Sequence, residues 1–174
     1  LLPAAVGAGT GIEAPAAEFA APPMRSEHLG DDDLLTAGLG IAGLRGAVPT
    51  FADPLRPGIS ELRRRAIWQN YRGLIDLSEA GGYGRLYGAI GDLRITGVEY
   101  LAALRGPAGE GSTTLLLQIP RNFSPTKACL LVVAASGSRG IYGALPTAGE
   151  WGLRHGCAVA HSDKGSGFWD VDRG

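Results

Sequence analysis

Hydrophobic periodicity predicts one long helix in the first half of the chain. In SELRRRAIWQNYRGLIDLSEAGG (60–82), apolar positions recur three and four residues apart, which is the spacing of one face of an α-helix. Ser60 is placed to cap the helix at its start, and Gly81 is placed to end it. The predicted buried face consists of Leu62, Ala66, Ile67, Tyr71, Leu74 and Ile75.

Continuous apolar runs then predict strands. GVEYLAALRG and STTLLLQIP, separated by PAGEG, predict a β-hairpin. The run ACLLVVAAS (128–136) is almost entirely apolar, which is typical of a strand buried on both faces of a parallel sheet. Thr147 and Glu150 form a capping box for a short helix that ends at Gly156, and CAVAHSD (157–163) predicts the next buried strand. The order of hairpin, strand, loop, helix and strand predicts the opening of an α/β sheet.

The N-terminal part lacks this patterning. Residues 1–33 are rich in Ala, Pro and Gly, which predicts a disordered leader with little to bury. Its start, LLPAAVGAGTG, fits the remnant of a signal peptide and equally a simple Ala/Pro-rich leader, so an extracellular or periplasmic location and a cytoplasmic one both stay open. Gly and Pro interrupt residues 34–58 too often for a regular element, which predicts an irregular arm. Because FWDVDRG stops without a closing element, we expect the chain to be a fragment.

Composition narrows the function classes. The chain has 174 residues, 45% of them hydrophobic, and a formal net charge of -1. It can therefore bury one core, but it offers no electrostatic case for nucleic-acid binding. Its apolar runs are shorter than the roughly 20 residues that a membrane span needs. No cluster of His, Cys and carboxylates has metal-ligand spacing, so no metal site is predicted.

A Gly- and Ser-rich loop, SGSRGIYG (136–143), follows the predicted strand 128–136, and three hypotheses address it. As a nucleophile elbow it needs the pattern G-x-S-x-G, but around Ser138 the first glycine is replaced by Ser136. An elbow also turns directly into a helix, whereas this loop continues to the predicted cap at Thr147. Both departures disfavour the nucleophile hypothesis.

A dinucleotide-binding loop is the second hypothesis. Gly137, Gly140 and Gly143 form a G-x-x-G-x-x-G run after a buried strand, and Asp163 ends the next strand, where a ribose-binding acid would lie. Pyrophosphate binding needs the helix N-terminus at the glycines, and Pro146 indicates that the helix begins several residues later. A Rossmann-type NAD(P)-binding oxidoreductase stays as the alternative function.

An oxyanion loop fits the order of elements best. In α/β-hydrolases a Gly-rich loop after the third strand donates a backbone N–H to the tetrahedral intermediate, and the nucleophile comes two strands later. Gly137 and Gly140 would let the backbone approach the substrate, and Ser138 or Arg139 would supply the N–H. A tight loop whose glycines serve only the turn is the structural alternative.

Three long phrases point to one family. ELRRRAIWQNYRGLIDLSEAGGYGRLYG, SGSRGIYGALPTAGEWGLRHGCAVAHSDKGSG and DDLLTAGLG together resemble the D-(-)-3-hydroxybutyrate oligomer hydrolases. These bacterial esterases cleave dimers and short oligomers released from polyhydroxybutyrate. Because members of the family are several times longer, the resemblance implies an incomplete α/β-hydrolase-like domain over 34–174.

The resemblance also implies the chemistry. A serine, activated by a histidine base, attacks the ester carbonyl of a small-molecule substrate, and the acyl-enzyme is hydrolysed without a cofactor. The nucleophile is expected beyond Gly174, so no catalytic residue is assigned in this chain. Asp163 and Lys164 are candidates for the mouth of the site. His161 is expected to be structural, because the triad order in this fold is Ser, acid, His.

The two cysteines, Cys129 and Cys157, each begin a predicted strand. Strands that flank one crossover helix are often neighbours in a parallel sheet, which places both cysteines at the same end, away from the active face. Two buried free thiols are the favoured prediction, and a disulfide is the alternative for an exported protein.

Overall fold

One mixed five-stranded sheet organises the molecule. The computed structural model describes residues 18–78, 80–82, 93–105, 112–136 and 138–163. The strands are β1 Met24–His28, β2 Gly97–Arg105, β3 Ser112–Pro120, β4 Leu130–Ala134 and β5 Ala158–Ser162. The helices are α1 Gly40–Arg45, α2 Ile59–Leu74 and α3 Glu150–Arg154. The strands lie in the order β1-β2-β3-β5-β4, with β4 and β5 parallel and the other neighbours antiparallel.

Helix α2 confirms the periodic pattern, although its ends differ from the prediction. Ala66, Ile67 and Tyr71 are buried on its inner face, whereas Leu74, which was predicted for the same face, is 41% exposed. Its start is stabilised by the Glu61 carboxylate, which accepts the Gly58 N–H at 2.8 Å, rather than by Ser60. The helix ends at Leu74, before the predicted stop at Gly81, because Ile75 has an extended backbone.

The predicted hairpin and crossover are both present. β2 and β3 pair along their full length, and α3 connects the parallel strands β4 and β5. The prediction that β4 is buried on both faces is wrong, since Leu130 and Val132 are 61% and 75% exposed. β5 pairs between β3 and β4, which leaves β4 at the edge of the sheet.

The segment predicted as a leader contributes to the fold. Residues 24–28 form β1, which pairs antiparallel with β2, so the prediction of disorder is wrong for this part of 1–33. Backbone pairing at the hairpin edge does not require an apolar sequence, which is why the polar MRSEH gives no signal. Residues 1–17 of the predicted leader lie outside the described residues.

The arm over 34–58 is more regular than predicted, because α1 forms within it. The Asp33 carboxylate organises its start by accepting the N–H groups of Leu35, Thr36 and Gly38. Gly38 has a φ of +80°, and a Cβ there would lie 1.7 Å from the Asp31 carbonyl oxygen, so only glycine fits. This turn inserts Leu34 and Leu35 into the core, where both are fully buried.

A short π-helical turn, Leu145–Gly149, precedes α3 and replaces the predicted capping box. The Thr147 hydroxyl donates back to the Ala144 carbonyl at 3.1 Å instead of capping. The Glu150 carboxylate pairs with Arg154 at 3.3 Å. The stop at Gly156 is confirmed, since this residue has a φ of +75°.

Cys129 and Cys157 form a disulfide between the starts of the parallel strands β4 and β5. The favoured prediction of two free thiols is therefore wrong, whereas the predicted placement at one end of the sheet is confirmed. The Cα atoms lie 4.6 Å apart, because the two residues directly precede neighbouring strands in register.

Reduction should destabilise the chain measurably. The bond closes a loop with a sequence separation of 28 residues, for which chain entropy gives about 3.5 kcal/mol. Urea unfolding with and without reductant measures the loss. A Cys129→Ser/Cys157→Ser double variant is the control, since its unfolding should not respond to reductant. Equal stability of the oxidised and reduced chains would contradict the contribution assigned to the bond.

Candidate functional site

The Gly- and Ser-rich loop lies at the carboxyl ends of the two parallel strands. The Ala135 N–H donates to the Ser162 carbonyl at 2.7 Å, which continues the β4–β5 ladder to the edge where the loop leaves the sheet. In open α/β sheets this is the edge at which ligands bind. Ser138 is exposed there, whereas Gly140 is buried with a φ of +67°. Gly137 lies outside the described residues.

Two consecutive turns shape the loop. The Arg139 N–H donates to the Ser136 carbonyl at 2.9 Å, and the Gly143 N–H donates to the Gly140 carbonyl at 3.0 Å. A Cβ at Gly143 would lie 2.7 Å from the Arg139 Cβ, so the second turn needs a glycine for packing. Of the two donors predicted from the sequence, Arg139 uses its N–H for the turn within the loop.

Helix α2 holds this loop from one side. The Asn70 side-chain amide donates to the Arg139 carbonyl at 3.2 Å and to the Ala66 carbonyl at 3.1 Å. In return, the Arg139 guanidinium donates to the Gly73 carbonyl at 3.3 Å. The loop is therefore attached to a regular element through both its backbone and a side chain.

A buried charge cluster lies under the loop, and the sequence analysis did not identify it. Glu99 of β2 is its centre and is 3% exposed. Arg63 donates to both oxygens of this carboxylate, at 2.8 and 3.2 Å. Gln118 donates to Glu99 at 2.7 Å, and the Tyr142 hydroxyl donates at 3.2 Å. His28 lies 3.1 Å from Glu99.

The charges in this cluster balance. Burial disfavours the ionised Glu99, but the hydrogen bond from His28 and the charge of Arg63 outweigh it and lower the pKa of Glu99 to about 2. Burial likewise opposes the charged His28, yet its contacts with Glu99 raise its pKa. Asp32 completes the set by accepting from Arg63 at 2.8 Å and facing His28 at 3.0 Å. When His28 is protonated, two cations face two carboxylates in this cluster.

His161 of β5, which the sequence analysis expected to be structural, is 1% exposed and is bonded within the sheet. The Gln118 amide nitrogen donates to Leu34 and Glu99, so its oxygen accepts from His161 Nε2 at 3.1 Å. This fixes the proton of the neutral ring on Nε2. Burial lowers the pKa of His161 to about 4.

Acidification should weaken the fold through His161. Its folded pKa lies below the ordinary value of 6.5, so its contribution is complete above pH 6.5 and is lost as the pH falls toward 4. We expect the contribution of His161 to the free energy of unfolding to fall by about 2 kcal/mol between pH 6.5 and 4.5. The raised pKa of His28 adds a contribution of opposite sign, present at low pH and lost as the pH rises, so the loss is obtained by comparison with a variant that lacks His161. Glu99 acts only below this window, because its pKa is lowered from 4.5 to about 2.

Urea titrations at pH 6.5 and 4.5 measure this loss. His161→Asn keeps a donor for Gln118 but does not titrate, so its pH slope should be smaller by the same amount. An identical slope in both proteins would show that His161 does not lose its charge on folding.

The surface near α3 contains a cleft of about 790 Å³. It lies between the end of α2 and α3, with Leu74, Trp151 and Arg154 in its wall. None of residues 138–143 lines it. Among the described residues, no group of three or more His, Cys, Asp or Glu side chains is placed to hold a metal ion.

The comparisons with known proteins decide the family. The model of the 3HB-oligomer hydrolase family matches residues 16–172, which includes the loop, the charge cluster and all five strands. The chain belongs to the 3HB-oligomer hydrolase family. The resemblance inferred from the sequence phrases is thereby confirmed. No solved structure matches the chain.

Curated relatives of the chain are named D-(-)-3-hydroxybutyrate oligomer hydrolase. It is 52% identical over 145 residues to a D-(-)-3-hydroxybutyrate oligomer hydrolase of Burkholderia ambifaria and 53% identical over 146 residues to that of Burkholderia vietnamiensis. The Polaromonas naphthalenivorans protein is 50% identical over 145 residues. Each alignment covers 78% of this chain and 20–21% of the relative, so the chain spans about a fifth of the length of these relatives.

Asp163 and Lys164 were the predicted residues of the site mouth. Asp163 is buried and accepts the Thr114 N–H at 3.0 Å, which ties the end of β5 to the start of β3. Lys164 lies outside the described residues.

Nothing supports the dinucleotide alternative: α3 begins at Glu150, far from Gly140, and Gly143 uses its N–H within the loop. No helix of the described ranges has the length and apolarity of a membrane span.

Proposed function

We propose that the chain forms part of an ester hydrolase that acts on D-(-)-3-hydroxybutyrate oligomers. The observation that carries the proposal is the family match over residues 16–172, together with relatives that are named as hydrolases of this substrate. The oligomer is a small molecule, and the formal net charge of -1 offers no electrostatic case for a nucleic-acid substrate instead.

The sheet supports an α/β-hydrolase-like assignment. Counted from the hairpin, β4 is the third strand, and it is followed by the Gly- and Ser-rich loop and then by a helix and a parallel strand. The oxyanion loop of α/β-hydrolases occupies this position after the third strand. We assign this role to residues 136–143, with Ser138 and Gly140 as backbone donors.

The mechanism in this proposal is acyl transfer. A serine outside the described residues attacks the ester carbonyl. The negative charge that develops on the carbonyl oxygen is stabilised by backbone N–H groups of the loop. Gly140 is assigned because its left-handed φ favours a residue without a side chain, and the missing side chain would let the substrate approach the backbone. The loop holds no general base; that role falls to a histidine elsewhere in the enzyme.

An oxidising location belongs to the same proposal. The Cys129–Cys157 disulfide is of the kind that persists outside the cytoplasm. We therefore favour an extracellular or periplasmic hydrolase over a cytoplasmic one.

A chimera tests the proposed function. In it, this chain replaces the matching segment of the Burkholderia ambifaria relative. We expect the chimera to release 3-hydroxybutyrate from its dimer, whereas the isolated 174-residue chain should release none. The relative with that segment deleted is the control for the contribution of the chain. A folded chimera that cleaves simple esters but leaves the dimer intact would contradict the substrate assignment.

A further inference from the structure

Tyr142 connects the candidate oxyanion loop to the charge cluster beneath it. Its side chain is 7% exposed, and its hydroxyl donates to Glu99 at 3.2 Å. The Arg63 guanidinium carbon lies 5.7 Å from the centre of its ring, within the range of a cation–π contact. A tyrosine in a Gly-rich loop is thus fixed at its ring and at its hydroxyl.

The acceptor of this hydrogen bond is itself immobilised from three elements. Arg63 comes from α2, Gln118 from β3 and His28 from β1, and all three contact Glu99. A carboxylate that is held by several charged and neutral donors cannot rotate away when one of them is lost. Glu99 therefore offers Tyr142 an anchor whose position is set by the sheet.

A second anchor holds the other end of the same turn. Asn70 binds the Arg139 carbonyl, one residue before Gly140, and Tyr142 lies two residues after it. The left-handed backbone of Gly140 is therefore fixed on both sides, by α2 and by β2.

We propose that Tyr142 and Asn70 are positioning residues that hold the peptide groups of Ser138 and Gly140 toward the developing oxyanion. This inference rests on the proposed function of the loop. Oxyanion donors are effective only when they are preorganised, because donors that must reorient lose much of their advantage over water. The buried cluster is, in this account, the support of the loop.

Tyr142→Phe isolates the anchor, because it removes one hydroxyl and keeps the packed ring. In the chimera we expect kcat to fall about tenfold with KM unchanged, since the lost interaction acts on the transition state only. Tyr100→Phe is the matched control; Tyr100 lies on β2 beside Glu99 and on the opposite face of the sheet, and its loss should change kcat less than about twofold.

Backbone amide exchange of the 174-residue chain gives a readout that does not depend on activity. Tyr142→Phe should accelerate exchange of the described amides of residues 138–143 and leave β3 and β5 unchanged. Two results would overturn the positioning role. One is unchanged amide exchange in the loop. The other is a variant whose kcat is unchanged and whose kcat/KM falls only in proportion to its Tm. A different result would overturn the proposed function: the chimera without Tyr142→Phe leaves the dimer intact, while Tyr142→Phe still accelerates amide exchange in the loop. The anchor would then have no catalytic purpose.

Discussion

Replacing Arg63 by Met should lower the free energy of unfolding of the chain by about 3–5 kcal/mol, the usual cost of removing one partner of a buried ion pair. The substitution keeps much of the volume and the helix propensity of the side chain. It leaves Glu99, which is 3% exposed, without the cation that binds both of its oxygens. It also leaves the carbonyls of Asp33 and Leu34 without a donor from α2.

Urea unfolding near pH 7 measures this loss, and Arg72→Met is the matched control. Arg72 lies on the exposed side of the same helix and contacts the Trp68 ring at 5.8 Å, so its replacement should cost less than about 1 kcal/mol. Adding Glu99→Leu to Arg63→Met should restore part of the stability, because it removes the buried carboxylate that has lost its Arg63 partner. A loss below about 1 kcal/mol for Arg63→Met would show that Glu99 does not depend on this cation.

Gly140→Val should reduce turnover of the dimer by the chimera about a hundred- to a thousand-fold, the typical cost of losing one oxyanion donor. The φ of Gly140 is +67°, and a β-branched residue is strained there, so the peptide groups on either side must rotate. Ser138→Ala should retain most of the activity, because the proposed contribution of Ser138 is its backbone N–H.

Strain alone needs its own control, and Gly156→Val provides it. Gly156 has a φ of +75°, and a Cβ there would lie no closer than 3.4 Å to another atom. This variant therefore has comparable strain just before β5, at the opposite end of the parallel strands from the loop. We expect it to lose stability but to keep its turnover when folded. An inactive Ser138→Ala beside an active, folded Gly140→Val would place the nucleophile in this loop.

Local hydrophobic patterns predicted the elements that are formed by residues close together in the sequence. The apolar face of α2 and the two runs of the hairpin are of this kind. The insertion of β5 between β3 and β4 depends on long-range strand pairing, which the run of Leu and Val in β4 does not encode. Among the described residues this order places β4 at the edge of the sheet, with Leu130 and Val132 exposed. The disulfide shows the same limit. The sequence predicted that the two cysteines lie at one end of the sheet, but it did not predict the bond between them.

The candidate site shows a similar limit. The glycines predicted a loop at the carboxyl edge of the sheet, and the structure places it there. The side chains that hold the loop were not predicted from the sequence. Tyr142 lies in an apolar stretch and Arg63 in a helical one, and neither differs there from an ordinary member of such a stretch. One signal was available: Glu99 interrupts the apolar run GVEYLAALR at a position that alternation assigns to the same face as Leu101. A charge at a core position of a strand indicates a buried partner.

The central claim is that the backbone of residues 136–143 binds the oxyanion of an ester hydrolase. The most direct test is a crystal structure of the chimera with its nucleophilic serine phosphonylated, because the phosphoryl oxygen occupies the position of the oxyanion. We predict that this oxygen lies about 2.7–3.1 Å from the backbone nitrogen of Ser138 or Gly140. A phosphoryl oxygen bound by other groups and remote from this loop, or a phosphonate attached to Ser138 itself, would contradict the claim.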